Sequence, residues 1–104
     1  MDSISGTIPI EIPRDRIILF CRQFQVQRLA LFGSVLRDDF RPDSDIDILV
    51  KFASNAQVSF FTLGRMKREL TIIFQRDIDL VPEDGLKPAI KEDVLSSARE
   101  VYAS

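Results

Sequence analysis

At 104 residues, 45% of them hydrophobic, the chain has the size and composition of one globular domain, enough for a single core but too little for a separate substrate-gripping domain. Fourteen basic against 16 acidic residues leave a formal charge of −2, which argues against a broad basic surface, so direct nucleic-acid binding is not expected. The absence of histidine removes the commonest neutral-pH acid/base and metal ligand, and a lone cysteine, Cys21, excludes an internal disulfide or a cysteine-cluster metal site.

The first dozen residues, MDSISGTIPIEI, lack the basic start and apolar run of a secretion signal, and nowhere is there an apolar stretch of membrane-spanning length, so a cytoplasmic location is expected. Ile8, Ile10 and Ile12 alternate with polar residues, but Pro9 and Pro13 interrupt them, which predicts an extended N-terminal arm over residues 1–12, or an edge strand within it, rather than a central strand. The single domain is expected to fill residues 13–104. Ile17, Ile18, Phe20 and Cys21 recur at helical spacing and predict an amphipathic helix over 13–24. A strand is predicted over 26–32, ending at Gly33-Ser34, followed by the polar stretch RDDFRPDSD. Residues 45–52, DIDILVKF, alternate so that Ile46, Ile48, Val50 and Phe52 share one face and Asp45, Asp47, Leu49 and Lys51 the other. Leu63, Met66, Leu70 and Ile73 predict a helix over 59–74, and DIDLV predicts a short strand over 77–81. Pro88 opens a last predicted helix in which Ile90, Val94, Leu95, Ala98, Val101 and Tyr102 form one stripe.

With no histidine and one cysteine, any catalysis rests on carboxylates, hydroxyls, Lys and Arg, and these fall into a pattern: Gly33-Ser34, ten residues, Asp45-x-Asp47 on a strand, and Asp79 on a second strand. A glycine closing a strand lets the backbone approach a phosphate closely, and the following N–H groups and serine hydroxyl can donate to its oxygens. Carboxylates at i and i+2 on a strand project from one face and repel unless a cation lies between them. Magnesium suits that place, because it takes oxygen ligands and bridges one or two protein carboxylates to substrate phosphates. A third carboxylate from a neighbouring strand could complete a two-metal clamp or take a proton from an attacking hydroxyl. At ordinary residue frequencies, a chance match to the Gly-Ser and Asp-x-Asp pairs at this spacing is roughly a one-in-a-thousand event in a chain of this length.

LALFGSVLRDDFRPDSDIDILVKF resembles the strand, Gly-Ser turn, arginine-containing loop and Ser-Asp-x-Asp strand of the minimal nucleotidyltransferases (MNT proteins) of the DNA polymerase beta-like superfamily. RDIDLVPEDGLKPAIKEDVLSSAREVY is similar to their closing part, an Asp-Leu-Val strand with the third carboxylate and then a terminal helix. The resemblance implies the polymerase beta-like nucleotidyltransferase fold of the α/β class, a small mixed sheet flanked by helices. It implies Gly33, Ser34 and Arg37 as nucleotide contacts, Asp45, Asp47 and Asp79 as catalytic metal ligands, two magnesium ions, and ATP as substrate. Asp38 stands where the family more often has glycine. Small members of the family pair with HEPN-domain toxins, so the implied activity is transfer of AMP to a toxin tyrosine by an antitoxin. The alternative is a noncatalytic antitoxin that neutralises its partner by complex formation.

Other residues have plainer readings. Asp77, near a turn, suits a solvated role, and Arg37 and Arg41 suit neutralisation of Asp38, Asp39 and Asp43 as well as phosphate contact. Cys21 reads as a small core residue. Phe60 and Phe61 read as core before interface, like the Met66 stripe, but being consecutive they cannot both face inward on one helix, so one of them is expected to mark a partner surface.

Overall fold

The computed structural model describes residues 10–36, 41 and 44–104. The elements run α1 (Arg14–Gln23), β1 (Val26–Phe32), a 3-10 turn (Gly33–Leu36), β2 (Ile46–Phe52), α2 (Phe60–Phe74), β3 (Ile78–Pro82), a second 3-10 turn (Glu83–Gly85), α3 (Pro88–Ser97) and β4 (Arg99–Ala103). The four strands lie in the order β3-β2-β1-β4, with β1 antiparallel to both β2 and β4, and β2 parallel to β3. This is the mixed sheet with helices that the α/β expectation called for. None of the helices among the described residues is long and apolar enough to cross a membrane.

The alternation read in β2 sorts the sheet into two unlike faces. Ile46, Ile48 and Val50 are fully buried, and their cross-strand partners Ile78 on β3 and Leu29 and Leu31 on β1 join them. Helices α1 and α2 close over this face with Ile17, Phe20 and Cys21 from the first and Met66, Leu70 and Ile73 from the second. Cys21 is a core residue as expected, and burial pushes its thiol up to about 12. Asp15 in the first turn of α1 and Arg22 in the last agree with the helix dipole. α2 starts where Ser59 caps it, its hydroxyl accepting the Thr62 N–H at 3.2 Å. The opposite face carries Arg28, Ala30 and Phe32 of β1 against Lys51, Leu49 and Asp47 of β2, then Asp79 and Val81 of β3. At its far end, the buried Glu83 carboxylate accepts from Arg28 Nε at 3.1 Å and also from Arg28 Nη2.

One expectation needs correction. The stripe from Ile90 to Tyr102 is not one helix: α3 stops at Ser97, Ala98 is extended, and Arg99–Ala103 forms β4. The reason is tertiary. β1 would otherwise be an exposed apolar edge, and Val101 and Tyr102, β-branched and aromatic, suit a strand that covers it and packs on the core. At the other terminus, residues 1–9 of the expected arm lie outside the described residues, while Ile10 and Ile12 form no strand but pack against the core.

Candidate functional site

The site is assembled where β1 ends and β2 begins. Phe32, the last residue of β1, is paired with Asp47, so the turn that follows is laid directly against that carboxylate. Gly33 has a left-handed backbone, φ +75, and a Cβ placed on it would stand 2.1 Å from Asp47 Oδ2. Glycine is therefore required twice, by conformation and by space. The 3-10 turn that it opens buries Val35 and aims the Ser34 N–H at the Asp47 carboxylate, while Ser34 Oγ donates to the Asp45 carbonyl at 3.5 Å. The donors assigned to phosphate from the sequence thus serve Asp45 and Asp47 in this structure.

Asp47 and Asp79 are cross-strand partners in the parallel β2–β3 pair. Asp45 is exposed and lies one residue before β2, outside the ladder in which the sequence places it. Burial, the first cause, raises the Asp47 carboxyl above its ordinary value; the Asp79 charge, a hydrogen bond shared with Asp79 and the Asp45 charge raise it further, against the Ser34 N–H that lowers it. A hydrogen bond between two carboxyl groups needs a proton between them, and a divalent cation fits that place, because the donors are hard oxygens and Asp79 is exposed to solvent. Among the described residues no three acidic or cysteine side chains form a complete ligand cluster, so a cation here would take part of its shell from substrate oxygens and water.

Arg37 lies outside the described residues. Asp77 is exposed, as its solvated reading requires, and its carbonyl accepts the Ile46 N–H at 3.0 Å. Phe60 and Phe61 are both exposed, 91% and 87%, at the start of α2, which overturns the core reading of the pair: the inward face of α2 is carried by Met66, Leu70 and Ile73 instead. A cavity of ≈ 370 Å³ lined by Lys51, Phe52, Val58 and Glu83 lies at the other end of β2 from Asp47 and holds none of the pattern residues. Arg76, which the sequence reading passed over, donates from Nη2 to the Arg41 carbonyl at 2.5 Å; the only sequence signal for it is its place just ahead of the Asp77-x-Asp79 strand.

Comparison with known proteins bears on the family and the fold. The model of the nucleotidyltransferase domain family matches residues 14–101. A candidate protein adenylyltransferase of Methanocaldococcus jannaschii is 34% identical over 88% of this chain and 95% of its own. The protein adenylyltransferase MntA of Thermococcus cleftensis is 33% identical over 70% of this chain and 72% of its own. Among solved structures, the complex of an MNT antitoxin with the tri-AMPylated HEPN toxin of Shewanella oneidensis has the same fold, with a TM-score of 0.63 and 22% identity over 88% of this chain and 70% of that one. With its mixed sheet, its Gly-Ser turn and a family match that spans both acidic strands, this chain belongs to the nucleotidyltransferase domain family.

Proposed function

We propose that the chain moves AMP from ATP to a hydroxyl of a HEPN-family toxin and so acts as the antitoxin of a toxin–antitoxin pair. The observation that carries this reading is the Gly33-Ser34 backbone packed on Asp47, with the exposed Asp79 beside it on β3. Support also comes from the adenylyltransferase names of the relatives and from the AMPylated toxin held by the MNT antitoxin. In the reaction the acceptor oxygen attacks the α-phosphorus, the bond from that phosphorus to the pyrophosphate bridging oxygen breaks, and the acceptor proton passes to a carboxylate, for which we propose Asp79. Asp45, Asp47 and Asp79 would hold the magnesium, which when bound neutralises phosphate charge. Gly33, Ser34 and Arg37 would meet the triphosphate, the Ser34 N–H and hydroxyl turning from Asp47 and Asp45 to its oxygens.

The test is calorimetry of ATP with magnesium and with chelator. Binding should be at least tenfold tighter with magnesium, and Asp47→Asn should remove the difference; equal affinity in both buffers would defeat the reading. Transfer to the coexpressed toxin is then followed with labelled ATP. A complex that forms but carries no label would move the chain to the noncatalytic alternative, neutralisation by occlusion.

The partner surface is predicted at Phe60 and Phe61. Large apolar side chains so exposed next to each other are costly in a lone domain and typical of interface anchors. Phe60→Ser with Phe61→Ser should leave the melting temperature within about 2 °C, since neither ring is in the core, yet weaken the toxin complex by about tenfold or more. Titration of labelled chain into toxin reads this, and unchanged affinity would place the contact elsewhere.

A further inference from the structure

Asp45 has an unusual position for a residue expected to face two other carboxylates: it sits just outside the β2–β3 ladder, on a segment that strand pairing does not fix. Its neighbours fix it instead. Arg41 and Ser44 are tied to each other, the Ser44 N–H donating to the Arg41 carbonyl at 3.0 Å and the Arg41 N–H to Ser44 Oγ at 3.0 Å. The same Arg41 carbonyl accepts from Arg76 Nη2 at 2.5 Å, a charge-assisted bond that reaches across 35 residues of sequence. The chain then passes through Asp45, whose carbonyl takes the Ser34 hydroxyl at 3.5 Å, to Ile46, whose N–H reaches the Asp77 carbonyl at 3.0 Å.

Arg76 itself is well held. It follows Gln75, whose left-handed backbone ends α2, and its Nε is buried. A guanidinium suits this place: it stays charged at any working pH, and its planar fork keeps a donor aimed at the carbonyl with little loss of side-chain freedom. Asp45 and Asp47 repel each other, so a segment carrying Asp45 without an anchor relaxes away from the site, and part of any ligand's binding energy goes to recalling it.

We infer that Arg76 is a positioning residue for adenylyl transfer, anchoring Arg41, and through it Ser44, to the start of β3 so that Asp45 is held toward Asp47 and Asp79. This rests on the adenylyl-transfer reading above, and it assigns Arg76 no contact with substrate or with the reacting atoms.

The experiment compares the full chain, Arg76→Ala and Arg76→Lys, each in complex with the toxin. Amide hydrogen exchange at Ser44, whose N–H donates to the anchored carbonyl, should quicken about tenfold or more in Arg76→Ala while core amides of β1 stay protected. Single-turnover AMP transfer should fall about 10- to 100-fold, with the ATP concentration for half-maximal rate changed less than about threefold, as for a geometric fault at the reacting centre. Arg76→Lys, which can still donate to the carbonyl, should recover most of both. A purely structural role would instead quicken core exchange in step with Ser44. Ser44 exchange that does not change, transfer that does not change although exchange quickens, or no recovery with lysine each overturns the inference. A parent chain that transfers no AMP overturns the functional reading instead, and the exchange measurements still decide whether Arg76 anchors Arg41 and Ser44.

Discussion

Gly33→Ala should be among the most damaging single-atom-group changes in this fold, lowering stability by about 3 kcal/mol or more and transfer by about 10²-fold in whatever protein remains folded. Two costs combine. A left-handed backbone at φ +75 costs an alanine about 1–2 kcal/mol, and its methyl would lie 2.1 Å from Asp47 Oδ2, so either the turn or the carboxylate must move. At this size, about 3 kcal/mol corresponds to a fall of about 12 °C or more in melting temperature. The two costs separate in a double-mutant cycle. In an Asp47→Ala background the colliding carboxylate is gone, and Gly33→Ala should cost only the backbone share, about 1–2 kcal/mol. Equal cost in both backgrounds would show that the close approach of Gly33 to Asp47 does not matter to the fold.

That collision could not be read from the sequence, although both partners could. Gly33-Ser34 and Asp47 were legible because their spacing and their strand-end context carry chemistry; that they lie against each other follows only from the Phe32–Asp47 register, which the polar residues between the two strands do not announce. The core face of β2 was legible for a simpler reason: Ile46, Ile48 and Val50 alternate with Asp47, Leu49 and Lys51, and period two puts the wholly apolar set on the face that the helices cover, although Leu49 on the other face is buried as well. The last element was not. Ala98, Val101 and Tyr102 continue the spacing of Ile90 and Val94, so local periodicity favours a helix, but the vacant edge of β1 takes the segment as β4. Glu83 shows the same limit. It becomes a buried acid only because Arg28, 55 residues earlier, reaches it, and separations of that kind leave no local signal. Asp45 lies between these cases: its carboxylate was legible, and its place outside the ladder, held through Ser34, Arg41 and Arg76, was not.

Asp79→Asn should divide stability from function. The variant keeps the shape of the side chain and removes its charge, and Asp79 is exposed on β3 directly beside Asp47. As the proposed acceptor of the hydroxyl proton it contributes to chemistry more than to nucleotide binding, so single-turnover transfer should fall about 10²- to 10⁴-fold while affinity for magnesium ATP falls only modestly. Stability should move the other way. Burial and the Asp79 and Asp45 charges raise the Asp47 carboxyl, so the folded chain holds that proton more tightly than the unfolded chain does. The stability this carboxyl contributes is complete below the ordinary carboxylate range and is lost as pH rises through the raised value. Removing the Asp79 charge reduces that loss. In chelator at pH 7 the variant should be more stable than the parent by about 0.5–1 kcal/mol, the usual worth of like charges directly opposite on paired strands, or about 2–8 °C in melting temperature. Near pH 3 the gain should vanish, because Asp47 is then protonated in both proteins. Magnesium should narrow the gap at pH 7 by stabilising the parent more than the variant. A variant that transfers AMP at the parental rate would remove Asp79 from the chemistry and leave Asp77, exposed two residues earlier, as the next carboxylate to change; a variant less stable than the parent in chelator would show that the Asp47–Asp79 pair holds the sheet together rather than straining it.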